Sequence, residues 1–378
     1  GRKLMCLYCF LVFSLGSLGC ALSGGLWTLI CARALQAVGA AMLQANSIAL
    51  VATSSPANRL RSALGIQAAA QSVGLAIGPT VGGVVVSTLG WRWVFLVNLP
   101  VGVVALALGF FLLPRTRQLA LSGGVGAAGF ILFAATTAAL LLGLSTAAGL
   151  GFRPWEVAVL LGSAVVLGAV FVSNQRRVQN PLLDLVLLLS PGVGLGLLGA
   201  LGAYLVLFGP LVLVPVVLSA EGFTALHAGL VATALPAGFA LGALSVNGWR
   251  PPAWSDLARF TAGSALSCAA LAAAVIAPLR PGWIVAVLAV MGLGLGVAIP
   301  ANNAMIMRCI PPAGSGTGGG LINMARGLGT AMGVALVTLC LHLGGIGGPH
   351  HGARLAWAVL TAASLAMVVS CRRPPATS

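Results

Sequence analysis

Apolar residues run through this chain in long blocks rather than in alternation. Hydropathy picks out about twelve such runs, at roughly 4 to 22, 27 to 52, 62 to 88, 93 to 114, 123 to 147, 155 to 173, 192 to 218, 226 to 248, 258 to 278, 282 to 306, 315 to 343 and 353 to 371. Each is near the ~20 residues that carry a helix across a ~30 Å hydrocarbon layer. The pattern predicts an all-α polytopic membrane protein, because backbone N–H and C=O groups in lipid find partners only inside a helix or a closed barrel. A barrel would need segments of roughly 10 residues with alternating polarity, and the sequence has no such rhythm.

Composition sharpens the picture. Of the 378 residues 59% are hydrophobic and 6% charged, where a soluble domain carries about 25% charged residues. A water-facing surface cannot be built from that, so soluble enzyme folds are excluded and the lipid bilayer is the expected surroundings. The 52 glycines and 20 prolines fit membrane helices, where small residues admit close backbone approach and proline kinks are satisfied by neighbours. Pro79, Pro100, Pro210, Pro215, Pro236 and Pro300 all fall inside expected spans.

A net charge of +15 raises the question of a nucleic-acid partner, and the placement of the charges answers it. Of 19 basic residues, thirteen lie on one set of alternating loops, from Arg2 and Lys3 to Arg372 and Arg373, against four (Arg92, Arg153, Arg280, Arg354) on the other. By the positive-inside rule the first set is cytoplasmic. Both ends of the chain are then inside, in a multi-pass protein of the cell membrane, and the charge reports topology. The eight cysteines are scattered within apolar runs. The Cys6/Cys9 CxxC lacks the strand context of a redox motif, and neither a zinc site nor a disulfide framework is readable. No cofactor or metal is expected; the His350-His351 pair reads as a solvated outer loop.

The remaining two basic residues, Arg33 and Arg326, sit inside spans. A guanidinium there costs ~2.5–3.5 kcal/mol on insertion scales and calls for a polar cavity or a partner. At 100° per residue Arg33, Gln36, Gln44 and Ser47 share an arc of about 80°. The aligned glutamines favour a cavity-lining face over an arginine that snorkels outward. In the third span Gln67 and Gln71 continue into a glycine stripe of Gly74, Gly78 and Gly82, which alone would signal helix packing. Arg326 lies about eleven residues into the eleventh span beside Asn323, where cavity lining is favoured over a helix contact. Asn302 and Asn303 after Pro300 serve substrate or a kinked helix equally well. The four acidic residues, Glu156, Asp184, Glu221 and Asp256, all fall near span ends or in loops.

The fixed spacing Gly65, Gly74, Gly78-Pro79, Gly82-Gly83 resembles the G-x8-G-x3-GP-x2-GG antiporter motif in the fifth helix of the major facilitator superfamily. Arg33-Ala-Leu-Gln36-Ala37 looks like that superfamily's RxxQG, with alanine for glycine. Trp91 to Pro100 is similar to the WRWIFxxNxP of its drug:proton antiporters with fourteen helices. Gly1-Arg2-Lys3 matches the tail of the loop motif between helices two and three. Asn180-Pro181-Leu182-Leu183 and the stretch from Gly318 to Gly329 resemble, more loosely, segments near the ninth and thirteenth helices.

The resemblance implies a major facilitator fold in which the chain represents helices three to fourteen of a longer protein. Residues 1–113 would be four spans remaining from an N-terminal bundle, 114–190 two linker helices and a cytoplasmic loop, and 191–378 a C-terminal six-helix bundle. It implies a transporter rather than an enzyme, a monomer exporting a hydrophobic or amphipathic small molecule in exchange for protons. The proton-carrying carboxylate would lie in a first helix that this sequence does not contain. Uptake or exchange of a polar metabolite, and a membrane scaffold or sensor without turnover, are the rival readings.

Overall fold

The computed structural model describes residues 2–56, 59–112, 127–147, 153–178, 188, 190–248, 254–276, 280–310, 315–344 and 349–370. Its helices are α1 (Arg2–Leu22), α2 (Leu26–Ser54), α3 (Leu60–Leu89), α4 (Trp91–Leu96), α5 (Asn98–Leu112), α6 (Ala127–Ala147), α7 (Pro154–Arg177), α8 (Pro191–Ala220), α9 (Ala225–Ala232), α10 (Ala234–Gly248), α11 (Asp256–Ile276), α12 (Pro281–Arg308), α13 (Ser315–Gly344) and α14 (Pro349–Ser370). The described residues contain no strand. Among the described residues ten helical segments are long and apolar enough to cross a membrane, and Ala128–Leu144 in α6 is a shorter apolar one. Together with α3 these coincide with the expected spans.

Two of the spans are broken in two, and proline explains both breaks. A proline in a helix lacks its own N–H and crowds the carbonyl four residues earlier. Pro100 stands four residues after Leu96, where α4 ends, and Pro236 four residues after Ala232, where α9 ends. Val97 and Thr233 are the joints. By contrast Pro210, Pro215 and Pro300 stay inside continuous helices. Gly90, between α3 and α4, adopts φ 91°, a left-handed conformation that side chains resist.

The faces are sorted as lipid demands. On α1, Leu4, Tyr8, Leu11 and Leu15 are exposed while Cys9, Ser17 and Cys20 are buried, so large apolar groups face outward and small ones face neighbours. Close packing rests on glycine. A Cβ added at Gly292 or Gly296 would strike the backbone of Leu235 or Phe239 on α10, and one at Gly294 would meet Gly263 and Ser267 on α11. The Gly292-x-Gly294-x-Gly296 triplet therefore lets α12 lie against α10 and α11 at once. Gly329 and Gly333 of α13 meet the Leu201 and Leu205 carbonyls of α8 in the same way.

Helices α8 to α14 pack on one another, α1 packs on α2, α4 and α5, and α6 pairs with α7. The N-terminal helices meet the C-terminal ones where α3 lies on α9, α10 and α12, where α2 lies on α13, and where α6 lies on α13. Helix α3 is the bridge: its Ala68 and Ala69 belong to the apolar core otherwise formed by α8 to α14. A second core joins Ile48, Leu60 and Leu64 to Ile306, Ile310, Leu321 and Ile322. These residues sit where α2 and α12 end and where α3 and α13 begin, so the contact closes one end of the molecule.

Along α3 the burial then stops. Leu60, Leu64, Gly65, Ala68, Ala69 and Ser72 are buried, but no described residue from Val73 onward is.

Candidate functional site

A cavity of about 800 Å³ lies between α1, α2, α3 and α5. Its polar wall is Gln44, Ser47, Gln67 and Gln71, and Phe10 and Phe13 contribute aromatic rings. Helical periodicity sets this up: Gln44 and Ser47 are three residues apart on α2, and Gln67 and Gln71 four apart on α3, so each pair shares a face. The Gln67 amide donates to the Ser47 hydroxyl at 2.8 Å, which ties the polar stripe of one helix to that of the next.

Gln44 also connects the cavity to the C-terminal helices. Arg326 Nη1 donates to Gln44 Oε1 at 2.8 Å, and Asn323 Nδ2 donates at 2.8 Å both to the Gln44 carbonyl and to the Gly319 carbonyl of its own helix. The Arg326 guanidinium lies 5.1 Å from the centre of the Tyr204 ring on α8, a cation–π distance. Arg326 and Asn323 are thus helix-to-helix ties as well as neighbours of the cavity, two roles that sequence weighed against each other. Asn323 Oδ1 is buried without a partner.

Arg33 and Gln36 belong to a different group. Arg33 is exposed, donates to Gln36 Oε1 at 3.0 Å and lies 5.4 Å from the Phe95 ring. Gln36 is buried and donates to Ser17 Oγ at 2.7 Å, and Asn98 Nδ2 approaches the same hydroxyl at 3.4 Å. This network holds α2, α1 and α5 together, more than two turns along α2 from Gln44. The shared arc thus splits, with Gln44 and Ser47 at the cavity and Arg33 and Gln36 at a helix junction. Ser17 carried no sequence signal, and Asn98 only that of the asparagine in the WRWIFxxNxP resemblance.

The antiporter-motif glycines also divide. A Cβ at Gly65 would press on the Ala243 carbonyl of α10, whereas one at Gly74, Gly78 or Gly82 would meet nothing within 4 Å. Pro79 and Gly83 lie on the same helix. Among these described glycines the expected helix contact is therefore made at Gly65 and not at Gly74, Gly78 or Gly82. Of the loop motif, Gly1 lies outside the described residues, Arg2 opens α1, and Lys3 donates to the Phe110 carbonyl while lying 5.1 Å from the Phe110 ring centre. Asn180 to Asp184 lie outside the described residues. Asn302 Nδ2 donates to the Gly196 carbonyl at 2.8 Å, so part of its role is to pin α12 to α8.

One cluster went unread in the sequence. Asp256, the first residue of α11, is buried and paired with Arg61 of α3, and with Arg308 of α12 at 3.1 Å. This joins the two groups of helices at their closed end. The scarcity of acids was the available signal: with so few carboxylates, each one near a span end is a candidate partner for the loop arginines.

Residues 1–334 match the family described as the Major Facilitator Superfamily. The chain belongs to that superfamily. It is a multi-pass membrane protein of a transporter family that handles small molecules, and no catalytic family is indicated. Among superfamily relatives, it is 31% identical over 353 residues to the methylenomycin A resistance protein of Streptomyces coelicolor, covering 90% of this chain and 72% of that protein. It is 27% identical over 329 residues to the riboflavin transporter RibZ of Clostridioides difficile, covering 86% and 71%. The crystal structure of the human organic anion transporter MFSD10 (TETRAN) superposes with TM-score 0.70 at 17% identity, over 98% of this chain and 77% of that one, which is a likeness of fold.

Proposed function

We propose that the protein exports hydrophobic or amphipathic small molecules by alternating access, in exchange for protons, as a fourteen-helix type drug antiporter of the cell membrane. The observation that carries this reading is the one-sided closure. The helices around the cavity make their buried contact with the C-terminal helices at one end, where Asp256 pairs with Arg61 and Arg308 and Ile48, Leu60 and Leu64 meet Ile306 and Ile310. At the other end the Gly74, Gly78 and Gly82 stripe faces open space. With the basic loops cytoplasmic, the closed end is the inner one. The opposite state would bring the bare glycine face against its neighbours while the ion pairs part.

The cavity wall suits such a substrate. Amide and hydroxyl dipoles in a ring of apolar and aromatic groups bind one end of an amphipathic molecule and shelter the rest. The first four spans would form what is present of the N-terminal bundle, α6 and α7 the linker pair, and α8 to α14 the C-terminal bundle, the protein working as a monomer. Resistance to methylenomycin A in one relative supports export; the riboflavin transporter among the relatives supports the second reading, movement of a metabolite in either direction.

Everted membrane vesicles containing the full chain test both. Export predicts proton movement on adding an amphipathic dye, and dye uptake into everted but not right-side-out vesicles under an imposed pH gradient. Uptake in right-side-out vesicles alone would move the conclusion to import, and no gradient-dependent flux in either orientation would leave the scaffold reading.

A further inference from the structure

The charge arrangement around Gln44 narrows the substrate class, an inference that rests on the transport reading above. The chain has only four carboxylate side chains. Glu156 is in the first turn of α7, Glu221 follows the end of α8, and Asp256 opens α11 already engaged by two arginines. Asp184 lies outside the described residues, in sequence between two spans. Among the described residues a cationic substrate at mid-depth therefore meets no counter-charge.

An anion does meet one. Arg326 stands eleven residues into α13, about 16 Å from the helix start at 1.5 Å per residue, close to the middle of a ~30 Å layer. Its recorded acceptor is the neutral amide oxygen of Gln44, which uses one of five guanidinium donors. Gln44 lines the cavity, so Arg326 stands one hydrogen bond behind its wall.

We infer that the cavity selects amphipathic monoanions, and that the substrate's carboxylate takes Arg326 from Gln44. A carboxylate accepts two parallel N–H bonds from a guanidinium and binds it roughly twice as strongly as a neutral acceptor does. The gain is larger still away from water. Asn323 holds the Gln44 backbone in place, so the exchange needs only the Gln44 side chain to swing aside, while Phe10 and Phe13 take the substrate's apolar body. The exchange also removes one of the polar ties between α2 and α13, so that binding loosens the closed end by a differential contact with one of two conformations.

The test uses the purified full chain, in detergent for binding and in liposomes for flux. The probes are an anthracene carboxylate, its methyl ester, and a rhodamine cation. The acid binds at least about tenfold more tightly than the ester. Arg326→Gln removes that preference, Arg326→Lys keeps part of it, and Gln44→Ala tightens the acid by freeing its partner. Equal binding of acid and ester by the unaltered chain overturns the inference without relying on any variant's folding. Flux of the cation but not of the acid overturns it while transport stands. Arg326-dependent binding of the acid with no flux of any probe upholds the anion site and removes the transport reading instead.

Discussion

Asp256 shows how much one side chain can hold in a protein with so few acids. It is 6% exposed and pairs with Arg61 and Arg308 from two other helices, its single charge shared between them. Removing one member of a buried pair leaves uncompensated charge, but Arg308 is about half exposed and water screens it. Asp256→Asn is therefore expected to cost about 1–3 kcal/mol, read as a lowered Tm of the detergent-purified protein. It should also open the closed end: Leu64, 3% exposed, replaced by Cys, becomes reactive toward a soluble maleimide in the Asp256→Asn background and stays protected in its absence. Unchanged protection would mean that the apolar seam closes that end without the ion pairs. Gly90 is a residue-scale case of backbone strain. Its φ of 91° makes Gly90→Ala destabilising by ~1 kcal/mol although the added methyl meets nothing, and thermal unfolding separates that effect from a packing one.

At the scale of whole helices, two sets of glycines look alike in sequence and differ in what they touch. Gly292, Gly294 and Gly296 are pressed against backbone on two sides of α12, while Gly74, Gly78 and Gly82 of α3 face open space. Gly296→Val is expected to abolish a monodisperse folded protein, since backbone of α10 occupies the place of the new side chain. Gly78→Val is expected to leave Tm within a degree or two, as surface changes do, and to stop gradient-driven flux, because the stripe must close in the other conformation. Normal flux from Gly78→Val would show that the stripe never closes. The Arg33, Gln36, Gln44 and Ser47 face carries a related lesson. A shared arc on α2 was legible from the helical period, but a helix longer than 40 Å meets different neighbours along its length. Which part of the arc is wet depended on where α1, α5 and α13 cross it.

For the molecule as a whole, the thirteen-to-four bias of loop arginines and lysines predicts that a fluorescent protein fused after Ser378 glows and that alkaline phosphatase fused there is inactive. The reverse result would invert the protein and turn the closed end outward. Which of the six span prolines break their helix could not be read from the sequence, but twelve apolar segments, their order and the membrane setting could be, from apolar run length and charge bias. These are properties of a segment and its solvent, which is why the sequence alone determined them. Family membership was legible too, since the Gly65 to Gly83 spacing is a local pattern. What only the tertiary structure decided is which polar side chains meet: Gln44 with Arg326, Ser47 with Gln67, Gln36 with Ser17, Asp256 with Arg61. Lipid offers no pull of one apolar helix toward another that composition would reveal. Close contacts between segments far apart in the chain are fixed instead by where glycine backbones fit, as at Gly65 against Ala243 and at Gly292, Gly294 and Gly296 between α10 and α11.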